Sequence, residues 1–243
     1  MRRAALLAFV AVVSFAGAFT FEAAGGDAAP GVDVRAASAD TAHASSVHYA
    51  VAVTLQKGNE PLTLRIAGGS SRDRLVAHLS LGSMDGSVLM SKPFLYESAP
   101  SGFVVLGNIS WLRLHLSERS PRSQVMTTLR SLTPSPLLHV IAEARLRAIG
   151  KPGTFAGPVA YDDPVVRTSL HQLAAGLEFR GLHVRVQVGR DGLIHRVRLT
   201  GRTADRKTTL NLRARLYDFG VPVQVMPPSP GSFTDPALEQ LQA

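Results

Sequence analysis

The sequence contains no cysteine. That excludes disulfides, thiolate nucleophiles, cysteine metal sites and the acylated cysteine of a lipobox. Charge is sparse, with Asp, Glu, Lys and Arg at 18% and aromatic residues at 6% of 243 residues. Acids are the scarcer sign, 18 against 26 basic residues, which leaves a net charge of +8. The basic residues form no lysine-rich run, and neither an RNP nor a zinc-finger pattern occurs, so nucleic acid is not the expected partner. There is no GxSxG elbow, no SxxK and no P-loop; "AGGSS" at Ala67–Ser71 is too short and follows a strand as a turn does. No HxH or HxxxH spacing sets two of the eight histidines on one clear face. An enzyme, a metal site and a cofactor are therefore not expected.

What the chain has is apolar content of 45%, enough for a real core, and a marked start. "MRRAALLAFVAVVSFAGAFTFE" places Arg2 and Arg3 before an uncharged run from Ala4 to Phe21. That is the form of an export signal, with Ala16-Gly17-Ala18 as a small-x-small cleavage site. The run is also just long enough to span a bilayer as a helix. Either way the rest of the chain is exported to the cell envelope, outside the cytoplasm. The expected organisation is a signal or anchor over 1–22, a flexible Ala-, Gly- and Asp-rich tether over 23–44, one folded domain over 45–235 and a tail over 236–243.

From Val47 the apolar residues alternate. Val47, Tyr49, Val51, Val53 and Leu55 share one face; Leu62, Leu64 and Ile66 follow, then Leu75, Ala77, Leu79 and Leu81. Gly58-Asn59, Gly68-Gly69 and Gly82 punctuate the runs, so the pattern predicts an antiparallel meander. "SVLMS", "PFLYES", "FVVLGN" and "WLRLHL" continue it less clearly. Helical spacing then takes over. "RSQVMTTLRSL" stripes Val125, Met126, Leu129 and Leu132, and "SPLLHVIAEAR" stripes Leu137, Leu138, Ile141 and Ala144, with Ser135 as N-cap and Pro136 at the first helical position. A weaker strand around "GTFAGPVAY" precedes a third helix, "DPVVRTSLHQLAAGL". That helix turns Val165, Leu170 and Leu173 or Leu177 inward and takes an N-cap from the Asp162-Asp163 pair.

In the last block Asp191-Gly192 reads as a two-residue hairpin loop. Val188 then faces His195, Val186 faces Val197 and Val184 faces Leu199, all on one side. The other side pairs Arg185 with Arg198 and Gln187 with Arg196. "KTTLNLRARLYDFG" adds Leu210, Leu212, Ala214 and Leu216 inside, with Arg213 and Arg215 outside, and "VPVQV" fits one more edge strand. Strands, then helices, then strands predict an α+β domain on one antiparallel sheet of about eight to eleven strands, near the number at which an open sheet must curl.

"GLHVRVQVGRDGLIHRVRLTGRTADRKTTLNLRARLYDFGVPVQVMPPSP" resembles the C-terminal half of the LppX/LprAFG lipoprotein family of Actinobacteria. The shared features are the Asp-Gly hairpin, the outward-basic strands, the closing Asp218-Phe219-Gly220 and the proline-rich exit through Pro222, Pro227 and Pro228. "LTPSPLLHVIAEA" is similar to the family's helical segment. The resemblance implies a LolA-like half-barrel, a curved antiparallel sheet with two or three helices across its concave face. It also implies binding of lipid or lipoglycan acyl chains in a hydrophobic cavity, and envelope lipid transport. The chain departs from the family in lacking the acylated cysteine, which favours an uncleaved Ala4–Phe21 helix as its tether.

Under that resemblance the cavity lining is the inward set: Val51, Val53, Leu64, Leu79, Val184, Val186, Val197, Leu199, Leu210 and Leu212. Met126 and Leu129 belong to the core, or to a helix that lids the cavity. His195 is a hydrogen-bonded core histidine, or meets a headgroup at the cavity mouth. Replacing Val186 with Arg is expected to abolish lipid loading yet leave an exported protein. Arg185, Arg196, Arg198, Arg213 and Arg215, with Arg180, form an outer face almost without interleaved acids. It is either a solvated sheet face or a dock for an anionic membrane surface. The carrier is expected to act as a monomer. The rival expectation is a structural or sensory envelope domain, its half-barrel filled by its own side chains, binding polymers or proteins through the basic face.

Overall fold

The computed structural model describes residues 32–98, 111–116, 132–173 and 177–234. The predicted leader, "FVVLGN", the helix carrying Met126 and Leu129, and the C-terminal tail lie outside the described residues.

Among the described residues twelve strands form one sheet: β1 (Ser46–Lys57), β2 (Glu60–Ser71), β3 (Arg74–Leu81), β4 (Met84–Ser91), β5 (Phe94–Ser98), β6 (Trp111–His115), β7 (Arg147–Ala148), β8 (Thr154–Val159), β9 (Phe179–Val188), β10 (Ile194–Thr203), β11 (Thr208–Tyr217) and β12 (Phe233–Thr234). Their order is β12-β6-β5-β4-β3-β2-β1-β11-β10-β9-β8-β7. Every pairing is antiparallel except that of β12 with β6. Among the described residues three helices, α1 (Val34–His43), α2 (Ser135–Ala142) and α3 (Pro164–Leu173), complete the α+β fold predicted from the alternation. A sheet of this width curls, and its inner apolar face meets the helices in one hydrophobic cluster. Gly68 marks a close approach: a Cβ there would overlap the Val76 carbonyl oxygen of β3.

The predicted hairpin register holds over most of its length, with Val186 opposite Val197 and Val184 opposite Leu199. Its tip does not. Gly189 N–H bonds to Leu193 O and Gly192 N–H to Gly189 O, so the loop is Arg190–Gly192, with Gly192 in the left-handed region at φ 77. The odd loop length shifts the pairing to Val188 opposite Ile194, and a bulge between Ile194 and Arg196 restores it. Ile194 thereby takes the inward position predicted for His195.

Four further corrections follow from packing. Residues 34–43, expected within the tether, form α1, capped by the Asp33 side chain accepting from Arg35 N–H. Its buried side chains are Val34, Ala37, Ser38 and Thr41, too small and polar to give an apolar stripe. Ser38 Oγ donates to Leu138 O, and Ile194 N–H at the bulge donates to Thr41 Oγ1 at 2.9 Å. The N-cap of α2 is Pro134 rather than Ser135. In α3 it is Val166, not Val165, that is buried, with Val165 at 48% exposed. Val221–Val225 is not an edge strand. It crosses the sheet as a strap, with Ser46 Oγ donating to Val221 O and Arg74 Nη1 to Val223 O, before β12 joins the far edge.

The α3 cap is as predicted: Asp163 Oδ1 accepts from Val165 N–H at 2.8 Å and Val166 N–H at 3.1 Å. Asp163→Ala is expected to cost about 1 kcal/mol in denaturant unfolding, while Asp162→Ala, which caps nothing, stays near wild type.

Candidate functional site

The inner face is best described as rows of side chains running across the strands. One row reads Phe155, Val186, Val197, Ala214, Val51, Ile66, Leu79 and Gly86. Its neighbour reads Gly157, Val184, Leu199, Leu212, Val53, Leu64, Leu81 and Met84. These two rows hold nine of the ten inward strand positions predicted as lining, and Leu210 opposite Leu55 lies one row on. The period-two alternation brings them together because register transmits one face to the next.

Their surroundings differ. Under the helices, Val184, Val186, Leu199 and Leu212 have no exposed surface. Cover thins along the strands rather than across them. At the end near the β1–β2 and β3–β4 turns Leu55, Leu64 and Met84 are only partly buried and Leu62 is 53% exposed, whereas Ile66, Leu75, Ala77, Leu79, Val88, Met90 and Leu95 are buried; Leu114 on β6 is also partly buried. The partly open part of the inner face is therefore the strand end around Leu55, Leu62, Leu64 and Met84. A surface pocket of about 430 Å³ lies elsewhere, between Val32–Arg35, the end of α2 with Glu143 and Ala144, and Leu146, Ala148 and Phe155. Arg35 and Glu143 form an ion pair at its rim, 3.1 Å apart and largely exposed. None of the strand residues expected to line a cavity borders it.

Two polar groups interrupt the apolar face. Tyr49 is fully buried on β1, and its hydroxyl has no hydrogen-bond partner among the described residues. Burial pushes its pKa upward. Glu97 on β5 stands opposite Val88 and Leu112, on the inner face. Burial raises its pKa as well. Glu97 escaped the sequence reading because "PFLYES" is apolar at both parities, so alternation there does not say which side is inward.

His195 is not a fully buried core histidine. Its side chain is 25% exposed, Nε2 lies 2.9 Å from Asp191 Oδ2, and its ring packs edge-on against Phe219 at 5.1 Å. The bulge gives the inward place opposite Val188 to Ile194, beside His195.

The outer face carries the arginines as predicted. Arg185, Arg198 and Arg213 stand directly opposite one another across β9, β10 and β11, and the row continues through Ala52 to Arg65. The adjacent row holds Gln187, Arg196 and Arg215, and the Arg215 guanidinium lies 5.3 Å over the Tyr217 ring. No acid occupies either row between β9 and β11. Like charges in register destabilise a sheet, so this face costs the fold something.

Among the described residues no helix is long and apolar enough to cross a membrane, and no group of three His, Asp or Glu side chains converges on a metal site. No family model and no curated protein matches the chain. Solved structures do. The chain is similar to the lipoprotein LppX of Mycobacterium tuberculosis at 14% identity, covering 79% of this chain and 98% of that one with a TM-score of 0.39. It is similar to a DUF1329 family protein from Desulfovibrio piger at 7% identity, with 79% and 92% covered and a TM-score of 0.29. It is also similar, at 7% identity, to a putative outer membrane lipoprotein-sorting protein domain from Vibrio parahaemolyticus, with 74% and 87% covered and a TM-score of 0.25.

Proposed function

We propose that this chain is an exported binding protein of the cell envelope that holds a lipid acyl chain against the partly open strand end of its inner sheet face, around Leu55, Leu62, Leu64 and Met84. The observation that supports the reading is the uneven cover of that face. Leu55, Leu64, Met84 and Leu114 point to the same side as the core yet remain partly open. Each methylene moved from water onto such a surface gains about 0.8 kcal/mol, so an acyl chain binds without special polar contacts. In this reading the arginine face of β9–β11 docks the carrier on an anionic membrane surface, and residues 1–22 tether or export it. Transport of lipid between envelope sites follows if loading and docking alternate.

The complete burial of Val184, Val186, Leu199 and Leu212 favours a second reading. There the domain is filled throughout and acts only through its basic face, on a polymer or a protein.

Native mass spectrometry of the protein purified from its host separates the two. A single chain carrying lipid mass is expected for wild type, and a folded but empty chain for Leu64→Arg, since Leu64 has solvent access for the guanidinium. Wild type without lipid overturns the carrier reading and supports the second.

A further inference from the structure

After β11 the chain turns back over the outer face of the sheet. Ser46 Oγ donates to Val221 O at 2.6 Å and Arg74 Nη1 to Val223 O at 3.3 Å. Val223 is buried against Gly69, where a Cβ would stand 3.2 Å from Val223 Cγ2. Ser46, Gly69 and Arg74 have the parity of Ala50, Ala67 and His78, the row that Arg215 continues, so the strap lies on the arginine side. At its far end Trp111 N–H donates to Ser232 O, Phe233 meets Tyr96 edge-on at 5.8 Å, and the Arg113 guanidinium lies 4.4 Å over the Phe233 ring. The stretch between these moorings is held at both ends, and Pro227, Pro228 and Pro230 stiffen it further.

The exposed side of the strap is apolar. Residues 219–234 carry no charged side chain. Four large apolar side chains stand exposed among the described residues, and two of them, Val221 at 47% and Met226 at 85%, are on this strap. Pro222 and Pro227, beside them, are exposed as well. A single exposed apolar residue needs no explanation, but a stiff, uncharged segment that turns several outward does. Its setting supplies one. Val221 is held by Ser46, four positions along β1 from Ala50, the partner of Arg215, so the strap begins about 13 Å from the arginine rows at about 3.3 Å per residue. Apolar side chains that project beside a cluster of cations fit the boundary between headgroups and acyl chains of an anionic bilayer. From this arrangement we infer that the strap is a membrane-contacting element, with Val221 and Met226 entering the interfacial layer of an anionic bilayer while Arg213 and Arg215 engage its headgroups. The inference rests on the membrane-docking reading above and adds insertion to it. A second copy of the chain fits less well, because a two-fold contact through the strap brings the arginine rows of both copies together.

The chain has no cysteine, so Met226→Cys gives the full chain a unique site for an environment-sensitive fluorophore. Val165→Cys on α3, 48% exposed, is the comparison, because the helices pack on the inner face. On phosphatidylcholine vesicles containing phosphatidylglycerol, the label at 226 is expected to shift to the blue and to be quenched by a quencher carried on the acyl chains. The label at 165 is expected to do neither. Met226→Ser is expected to weaken adsorption to these vesicles about tenfold, the size of one methionine side chain kept in water. The salt dependence of that adsorption should match wild type, because no charge is lost, and so should the Tm, because Met226 is exposed. A label at 226 that stays unshifted on vesicles that the chain still binds, or Met226→Ser adsorption equal to wild type, overturns the inference and leaves electrostatic docking standing. A blue shift that needs no vesicles and grows with protein concentration assigns the strap to a contact between copies, and overturns it too. If wild type does not adsorb to the anionic vesicles at all, the docking reading itself fails, and this one with it.

Discussion

Val186→Arg is expected to unfold the domain rather than merely empty it. Val186 has no exposed surface and sits between Phe155 on β8 and Val197 on β10, beneath the helical layer. An arginine there has no acid in its row to pair with and no water within reach. Burying an unpaired charge costs on the order of 5 kcal/mol, comparable with the whole stability of a domain at about 5–15 kcal/mol. The sequence suggested a milder result, because alternation assigns Val186 and Leu64 to the same face and cannot say which of them the helices cover. Loss of yield and of the cooperative unfolding transition, in a chain where Leu64→Arg keeps both, is the expected pattern. A Val186→Arg chain with wild-type Tm would mean that the inner face is vacant even at β9, and would extend the proposed lipid seat under the helices.

The same distinction runs through the rest of the structure. Period-two alternation fixes which side of a strand is apolar, and the Asp191-Gly192 turn fixes which strands meet, so the row from Val184 to Leu199 was readable without coordinates. What alternation cannot show is a residue that leaves it. The bulge at His195 arises from a three-residue loop whose left-handed Gly192 resembles, in sequence, the two-residue loop that was expected. α1 was invisible for a different reason. It is held by Ser38 and Thr41 hydrogen bonds and by small side chains, which carry no hydrophobic period. The strap over Val221–Val225 has strand-like composition, and only the contacts of Val221 and Val223 with β1 and β3 show that it crosses the sheet instead of joining it. For the candidate site, the apolar inner face was legible and its polar groups were not. Tyr49 read as one more inward apolar residue, and nothing in a sequence reveals that its hydroxyl has no partner among the described residues.

Reversing the arginine row by Arg185→Glu, Arg198→Glu and Arg213→Glu together is expected to abolish adsorption to anionic vesicles. A basic side chain near an anionic membrane contributes about 1 kcal/mol, so removing three weakens binding by about 3 kcal/mol, roughly a hundredfold, and reversal takes it further. The fold is not expected to suffer. The three positions are exposed, they oppose one another directly across β9, β10 and β11, and the new glutamates gain Arg196 and Arg215 as neighbours in the next row. Cross-strand pairs of this kind contribute a few tenths of a kcal/mol to about 1 kcal/mol, so the triple variant should equal or exceed wild type in Tm at low salt. Co-sedimentation with vesicles that differ only in anionic lipid content measures the first effect, and thermal unfolding measures the second. Wild type should also lose adsorption as salt is raised, since exposed charges more than about 10 Å apart are screened at 0.1 M. If the variant adsorbs like wild type, the arginine face is a solvated surface with no membrane role. If it instead binds less because its Tm has fallen, the row was contributing to the fold, against the register argument. The expected result ties the two faces of one sheet to separate tasks in the proposed carrier: the wet, basic side sets where it docks, and the apolar side, partly open at the strand end around Leu62 and Leu64, sets what it holds.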